Sequence, residues 1–162
     1  AAKTMNFLTE HGISSYGELE SKLTALSARR DTSHAEIKRI ESRSAELTLV
    51  MKHAGTYRQL KPLYDRYRKS NDKEKFLRGH ESEIILFEAA ARELKRLGAV
   101  PLPTTESMKT ELANLSAEKE RLLAEYKTAR TEAQEYETVK QNVDALLAVP
   151  KEQEQQRRHE LE

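Results

Sequence analysis

Two long stretches of the chain repeat apolar residues at alternating spacings of four and three. Neither Gly nor Pro occurs between Gly17 and Gly55. The four-three register there is filled by Leu19, Leu23, Leu26, Ile37, Ile40, Leu47, Met51 and Ala54, with Arg30, Ser33 and Ser44 at the remaining positions. This spacing is typical of helices that pair through one apolar seam. We therefore predict a first long coiled-coil helix over residues 15–55, starting at a Ser15–Glu18 capping box.

A second stretch without Gly or Pro lies between Pro103 and Pro150. Its register contains Met108, Leu112, Leu115, Leu122, Tyr126, Ala129, Ala133, Tyr136, Val143 and Leu147, and Lys119 and Lys140 also fall on it. The pattern predicts a second long helix over 104–149, with Thr104 as its N-cap. An antiparallel pairing would bring Ala54 near Met108 and Leu19 near Leu147.

The connection over residues 56–103 is too long for a simple turn and predicts short helices. Pro62 should kink or restart a helix. The Asn71–Glu74 spacing predicts a capping box for a helix ending at Gly79, and an apolar stripe from Ile84 to Leu94 predicts another ending at Gly98.

The two ends of the chain complete the expected organisation. Residues 1–14 are predicted to be an anchoring segment with Met5, Phe7 and Leu8 as its apolar side. Residues 150–162 are predicted to be a flexible tail, and Leu161-Glu162 resembles a cloning scar. The expected fold is all-α: an elongated antiparallel two-helix coiled coil, closed at one end by a small bundle of shorter helices.

Composition agrees with long helices around a thin core, since 37% of the 162 residues are hydrophobic and 34% are charged. The chain has no cysteine, which excludes disulfides and thiolate-bound metals and suits a cytoplasmic location. We see no secretory signal and no apolar run of membrane-spanning length, so membrane insertion is not expected.

Positive charge is concentrated in the connection, although the whole chain carries only +1. From Thr56 to Gly79 there are eight Lys or Arg residues against three acids. These candidate phosphate contacts are Arg58, Lys61, Arg66, Arg68, Lys69, Lys73, Lys75 and Arg78. A face that is only solvated fits the same pattern.

Four aromatic residues, Tyr57, Tyr64, Tyr67 and Phe76, alternate with these cations. Exposed rings of this kind can stack unpaired bases. Tyr64 and Tyr67 share a helical face with Leu60 and Leu63, however, which favours a role in packing. Arg58, Lys61 and Arg68 lie on a different stripe with Asp65.

Catalytic and metal-binding patterns are missing from the sequence. The five histidines, His11, His34, His53, His80 and His159, have no spacing suited to a metal, and no Gly-rich phosphate loop or nucleophile-base order is present. We expect neither a cofactor nor an enzyme in this chain.

Residues 50–98, beginning VMKHAGTYRQLKPLYDRYRKSNDKEKFLRG, resemble the helical region that follows the nuclease domain in the relaxase/mobilisation nuclease family. The likeness extends through the preceding YGELESKLTALSARRDTSHAEIKRIESR and the following long helix. Such relaxases serve conjugative and mobilisable elements, chiefly of Gram-positive gut bacteria. They nick one DNA strand through a tyrosine beside a histidine-bound metal. The three-histidine motif has no counterpart here, so the resemblance implies an accessory region and no catalytic residue.

The expected function is therefore a non-catalytic accessory domain that binds or positions DNA, either single-stranded or at the transfer origin. The alternative is a protein-interaction module that docks the relaxase to the transfer machinery or dimerises through exposed seam residues.

Overall fold

The chain folds into four helices, as a computed structural model shows for the backbone of residues 1–160 and the side chains of residues 1–148. They are α1 (Ala2–Glu10), α2 (Tyr16–Lys69), α3 (Lys73–Arg96) and α4 (Thr105–Glu160). The predicted all-α class is confirmed. Two compact units divide the chain: residues 1–37 with those from 120 onward, and residues 38–119.

In the first unit, α2 pairs antiparallel with α4, and α1 covers both. Leu19 and Leu26 of α2 form a buried cluster with Ala133, Tyr136 and Val139 of α4. Phe7, Leu8 and Ile13 pack against this cluster, and the Phe7 ring meets Tyr136 edge-on at 5.1 Å. The predicted anchoring segment is thus a packed helix, except that Met5 is 59% exposed.

In the second unit, α2 again runs antiparallel to α4, and α3 folds back on α2. The buried residues of this unit are Ile40, Leu47, Val50, Ala54, Leu63, Ile84, Phe87, Ala90, Leu94, Met108 and Leu115. Arg43 makes a two-pronged contact with Glu111, from Nε to Oε1 at 2.7 Å and from Nη2 to Oε2 at 3.1 Å.

The four-three register predicts most of the buried seam but not all of it. Val50 and Val139 lie outside the register and are nevertheless buried, because each long helix also has a second neighbour, α3 in one unit and α1 in the other. Leu147, predicted to lie in the seam, is 60% exposed, so this assignment is wrong. It lies beyond Val139, the last buried position among the described side chains of α4.

The predicted end of the first long helix at residue 55 is also wrong. Helix α2 continues through Gly55 and Pro62 to Lys69. A glycine inside a helix costs only about 1 kcal/mol, and Ala54 and Leu63 on either side are buried, so packing outweighs the local preference. Pro150 does not end α4 at 149 either, since the helix reaches Glu160. Leu161 and Glu162 lie outside the described residues.

Helix ends follow local capping chemistry, with two changes from the prediction. Ser15 Oγ accepts from Glu18 N at 3.2 Å as expected, but the Glu18 carboxylate accepts from Ser14 rather than Ser15. The predicted Asn71–Glu74 box is wrong, since the N-cap of α3 is Asp72, whose Oδ1 accepts from Lys75 N at 3.1 Å.

Within α3 two helical segments meet at a kink at His80, next to Gly79, where φ is −137° and ψ is 26°. The predicted break between two helices after Gly79 is therefore confirmed. Helix α3 ends as expected at Gly98. That glycine has φ +70°, with bonds from Gly98 N to Lys95 O and from Ala99 N to Leu94 O. Thr104 caps α4 by accepting from Ser107 N at 3.0 Å.

Two glycines provide a paired test of the helix assignments. A Cβ added at Gly55 meets nothing within 4 Å, so Gly55→Ala should raise the free energy of unfolding by about 0.5–1 kcal/mol. Gly98→Ala should lower it by about 1 kcal/mol, because φ is +70° there. Urea unfolding followed by far-ultraviolet circular dichroism measures both. Destabilisation by Gly55→Ala would contradict a continuous α2.

The Arg43–Glu111 pair should make stability depend on pH. The hydrogen bond from Arg43 lowers the pKa of Glu111 below its usual value of about 4.3. The stabilisation is therefore complete above that value and is lost as the pH falls through the lower folded-state pKa. We expect Glu111→Gln to lower the free energy of unfolding at neutral pH and to reduce its further loss as the pH falls. Glu120→Gln, which changes an exposed carboxylate elsewhere on α4, should lose stability at acidic pH as the wild type does. An equal loss of stability at acidic pH in wild type and Glu111→Gln would refute this. Urea unfolding at a series of pH values is the measurement.

Candidate nucleic-acid interface

The predicted basic segment forms a tight corner where α2 meets α3. Residues 70–72 link the two helices, and Ser70 closes the turn through its own side chain: Oγ accepts from Asp72 N at 3.2 Å and donates to Asp72 O at 3.1 Å. Residues that are distant in the sequence on the two helices therefore become neighbours in space.

A row of aromatic rings fills the space between α2 and α3. Phe87 stacks with Tyr57 at 4.8 Å and with Tyr64 at 4.3 Å, with interplanar angles of 27° and 25°. Tyr64 then meets Tyr67 at 5.9 Å, and Tyr67 meets Phe76 at 6.0 Å. Phe87 is 5% exposed and the tyrosines are half-buried. These rings pack against one another, as the helical faces in the sequence predicted, and the tyrosines remain partly exposed.

All eight predicted site cations are exposed, but two of them have partners within the chain. Arg58 holds the start of α4: its Nη2 donates to Pro103 O at 2.6 Å and its Nη1 donates to Thr105 Oγ1 at 3.1 Å. Lys61 pairs with Asp65 at 3.0 Å. A phosphate would compete with these contacts.

The other six cations have no hydrogen-bond or ion-pair partner among the residues whose side chains are described. They surround the corner, and they are Arg66, Arg68, Lys69, Lys73, Lys75 and Arg78. Elsewhere, many basic side chains pair with acids, as do Arg29 with Glu125 and Lys140 with Asp144. The remaining unpaired cations in the described range are spread along the chain. The corner is therefore a local concentration of uncompensated positive charge.

Helix electrostatics explain only half of this charge. Arg66, Arg68 and Lys69 lie in the last turn of α2, where the partial negative charge of the helix end stabilises cations. Lys73 and Lys75 lie in the first turn of α3, where the helix end is partially positive and cations are unfavourable. Stability of the helices thus gives no reason for lysine at these two positions.

A groove of about 440 Å³ runs along one side of the α2–α3 pair. Tyr57, Tyr64 and Phe87 line its apolar part, and Lys61 and Arg68 lie on its α2 edge. The α3 edge adds Glu88 and Arg92, which the sequence reading did not single out. Their spacing of four residues on α3 was visible in the sequence, but their position opposite Lys61 depends on how α3 folds back.

No group of three or more His, Cys, Asp or Glu side chains is arranged to hold a metal ion in the part of the chain with described side chains. Among the described helices, none is both long and apolar enough to cross a membrane.

Comparison with known proteins gives no match of any of the three kinds. No protein-family model, curated protein or solved structure matches this chain.

Two arginines test the division between structural and free cations. Arg58→Ala should lower the free energy of unfolding by about 1 kcal/mol, because two hydrogen bonds to the start of α4 are lost. Arg66→Ala removes an exposed cation that has no partner among the described side chains, and it should change the free energy of unfolding by less than about 0.5 kcal/mol. Thermal and urea unfolding measure the difference. Equal losses would contradict a structural role that is specific to Arg58.

Proposed function

We propose that this chain is an accessory DNA-binding region of a conjugative relaxase, with the α2–α3 corner as its phosphate-contacting surface. The observation that carries the proposal is the set of six exposed cations around the corner without an acidic partner among the described residues. Lys and Arg side chains of this kind neutralise phosphates and release the counterions that surround nucleic acid.

The positions of Lys73 and Lys75 support a binding role over a solvated face. Both lysines are unfavourably placed with respect to the helix end at the first turn of α3, and neither forms an ion pair with Asp72 or Glu74, the two acids there. A bound phosphate would remove the repulsion. Its oxygens would also be attracted by the partial positive charge of the same helix end.

The relaxase context is supported by the resemblance of residues 50–98 to the helical region beyond the relaxase nuclease domain. In that setting the chain acts in the cytoplasm without catalysing the nick, and it holds or positions the transferred strand near the nuclease. Single-stranded DNA is the expected ligand, since transfer proceeds through one strand.

Salt dependence of binding to single-stranded DNA tests the proposal. Six phosphate contacts predict a log–log slope of about −4, from about −0.7 per contact. Reversing two corner charges, as in Lys69→Glu with Lys73→Glu, should reduce the slope by about 1.4. Fluorescence anisotropy of a labelled oligonucleotide at several salt concentrations measures this.

The matched control reverses two exposed lysines away from the corner, Lys22→Glu with Lys127→Glu, neither of which has an ion pair among the described residues. It changes net charge equally and should leave the slope nearly unchanged. If both double variants weaken binding alike, only net charge matters. No binding at low salt would overturn the proposal.

A docking role is the second candidate, and it is favoured by exposed apolar side chains. Ile85 and Leu86 are adjacent on α3 and are 55% and 56% exposed. Such a pair suits self-association or contact with transfer machinery. Light scattering over a range of concentrations should then show dimers, and Ile85→Lys with Leu86→Lys should restore the monomer. A monomer at all concentrations would rule out self-association.

A further inference from the structure

We propose that the groove between α2 and α3 is a subsite for one unpaired, amino-bearing base of single-stranded DNA, with Glu88 as the acceptor and Arg92 as an added phosphate contact. The inference rests on the proposed DNA binding and names the part of the strand that the groove would take. The groove lies along the same pair of helices, α2 and α3, that forms the basic corner.

The size and lining of the groove suit a base. Its volume of about 440 Å³ falls in the usual range for small-molecule sites, roughly 300–1,000 Å³. Half-buried Tyr57 and Tyr64 contribute ring surface on both sides of Phe87. Aromatic surface of this kind stacks on any base, whereas a base held in a duplex cannot enter.

The rim of the groove carries both positive and negative side chains. A surface that bound only phosphate would be expected to lack the negative ones. Lys61, Arg68 and Arg92 bring positive charge, and Asp65 and Glu88 bring negative charge. Asp65 is already held by Lys61 at 3.0 Å. Glu88 is exposed and has no hydrogen-bond or ion-pair partner among the described side chains.

A free carboxylate beside an aromatic floor accepts hydrogen bonds from the exocyclic amino groups of bases. Carboxylates recognise the N4 amino group of cytosine in this way. Thymine has no amino group, and its one donor, N3–H, lies between two carbonyl oxygens that a carboxylate repels. The groove therefore favours cytosine, and other amino-bearing bases, over thymine.

Anisotropy titrations with labelled oligo-dC and oligo-dT of equal length and at equal salt test the inference. Wild type should bind oligo-dC at least about fivefold more tightly. Glu88→Ala should reduce this preference to less than about twofold, because the acceptor is lost. Glu81→Ala, an exposed acid on α3 outside the groove, should retain the preference. Arg92→Ala should weaken binding to both oligonucleotides and reduce the salt slope by about 0.7.

The outcomes separate this inference from the proposed function. Equal binding of the two oligonucleotides, or a preference that survives Glu88→Ala, overturns the base subsite while leaving the phosphate surface standing. Failure to bind either one at low salt overturns both. Circular dichroism of each variant checks that the fold is retained, and the three exposed side chains are suitable because none of them contributes to the buried core.

Discussion

The stacking of Phe87 between Tyr57 and Tyr64 is the interaction on which the second unit depends. It joins α3 to the part of α2 that contains Pro62, where the helix loses a backbone hydrogen bond at a cost of about 3 kcal/mol. Burial of one Phe side chain contributes about 1.5–3 kcal/mol, and each ring pair adds about 0.5–1.5 kcal/mol. Packing of α3 is thus large enough to keep α2 helical beyond the proline. The same packing uses one face each of Tyr57 and Tyr64, and the basic side chains of the corner are exposed.

Charge is arranged differently along the paired helices and at the corner. Arg29, Arg39 and Arg43 of α2 each reach an acid on α4 within their own unit. Such exposed pairs contribute little individually, but they cancel charge along the seam. The chain's net charge of +1 therefore conceals a strongly basic corner. Because residues 66–78 contain six cations and only two acids, Asp72 and Glu74, the positive field of the corner extends into solvent within the Debye length of about 10 Å at moderate salt.

Periodicity predicted the helical class, the antiparallel pairing and most seam residues, because a helix that must bury one stripe shows that stripe in its sequence. Glycine and proline were less reliable as predictors of where the helices end. Gly55, Pro62 and Pro150 each suggested a boundary, and the helices run through all three. At Gly55 and Pro62 the buried neighbours Ala54 and Leu63 outweigh the local preference. Val50 and Val139 were missed for a related reason: a heptad register describes one partner, and each of these residues belongs to a helix with two.

The candidate site could likewise be predicted from the sequence only in part. Helical faces in the sequence separated the tyrosines from Arg58, Lys61 and Arg68, and the ring packing agrees with that separation. A face describes only one helix, however. When α3 lies beside α2, Lys61 and Arg68 come to the edge of the groove that Tyr57 and Tyr64 line, and Glu88 and Arg92 complete it from the opposite side. Ring and charge thus meet again at the boundary between two helices, where a ligand that has both an aromatic base and a phosphate can contact them together.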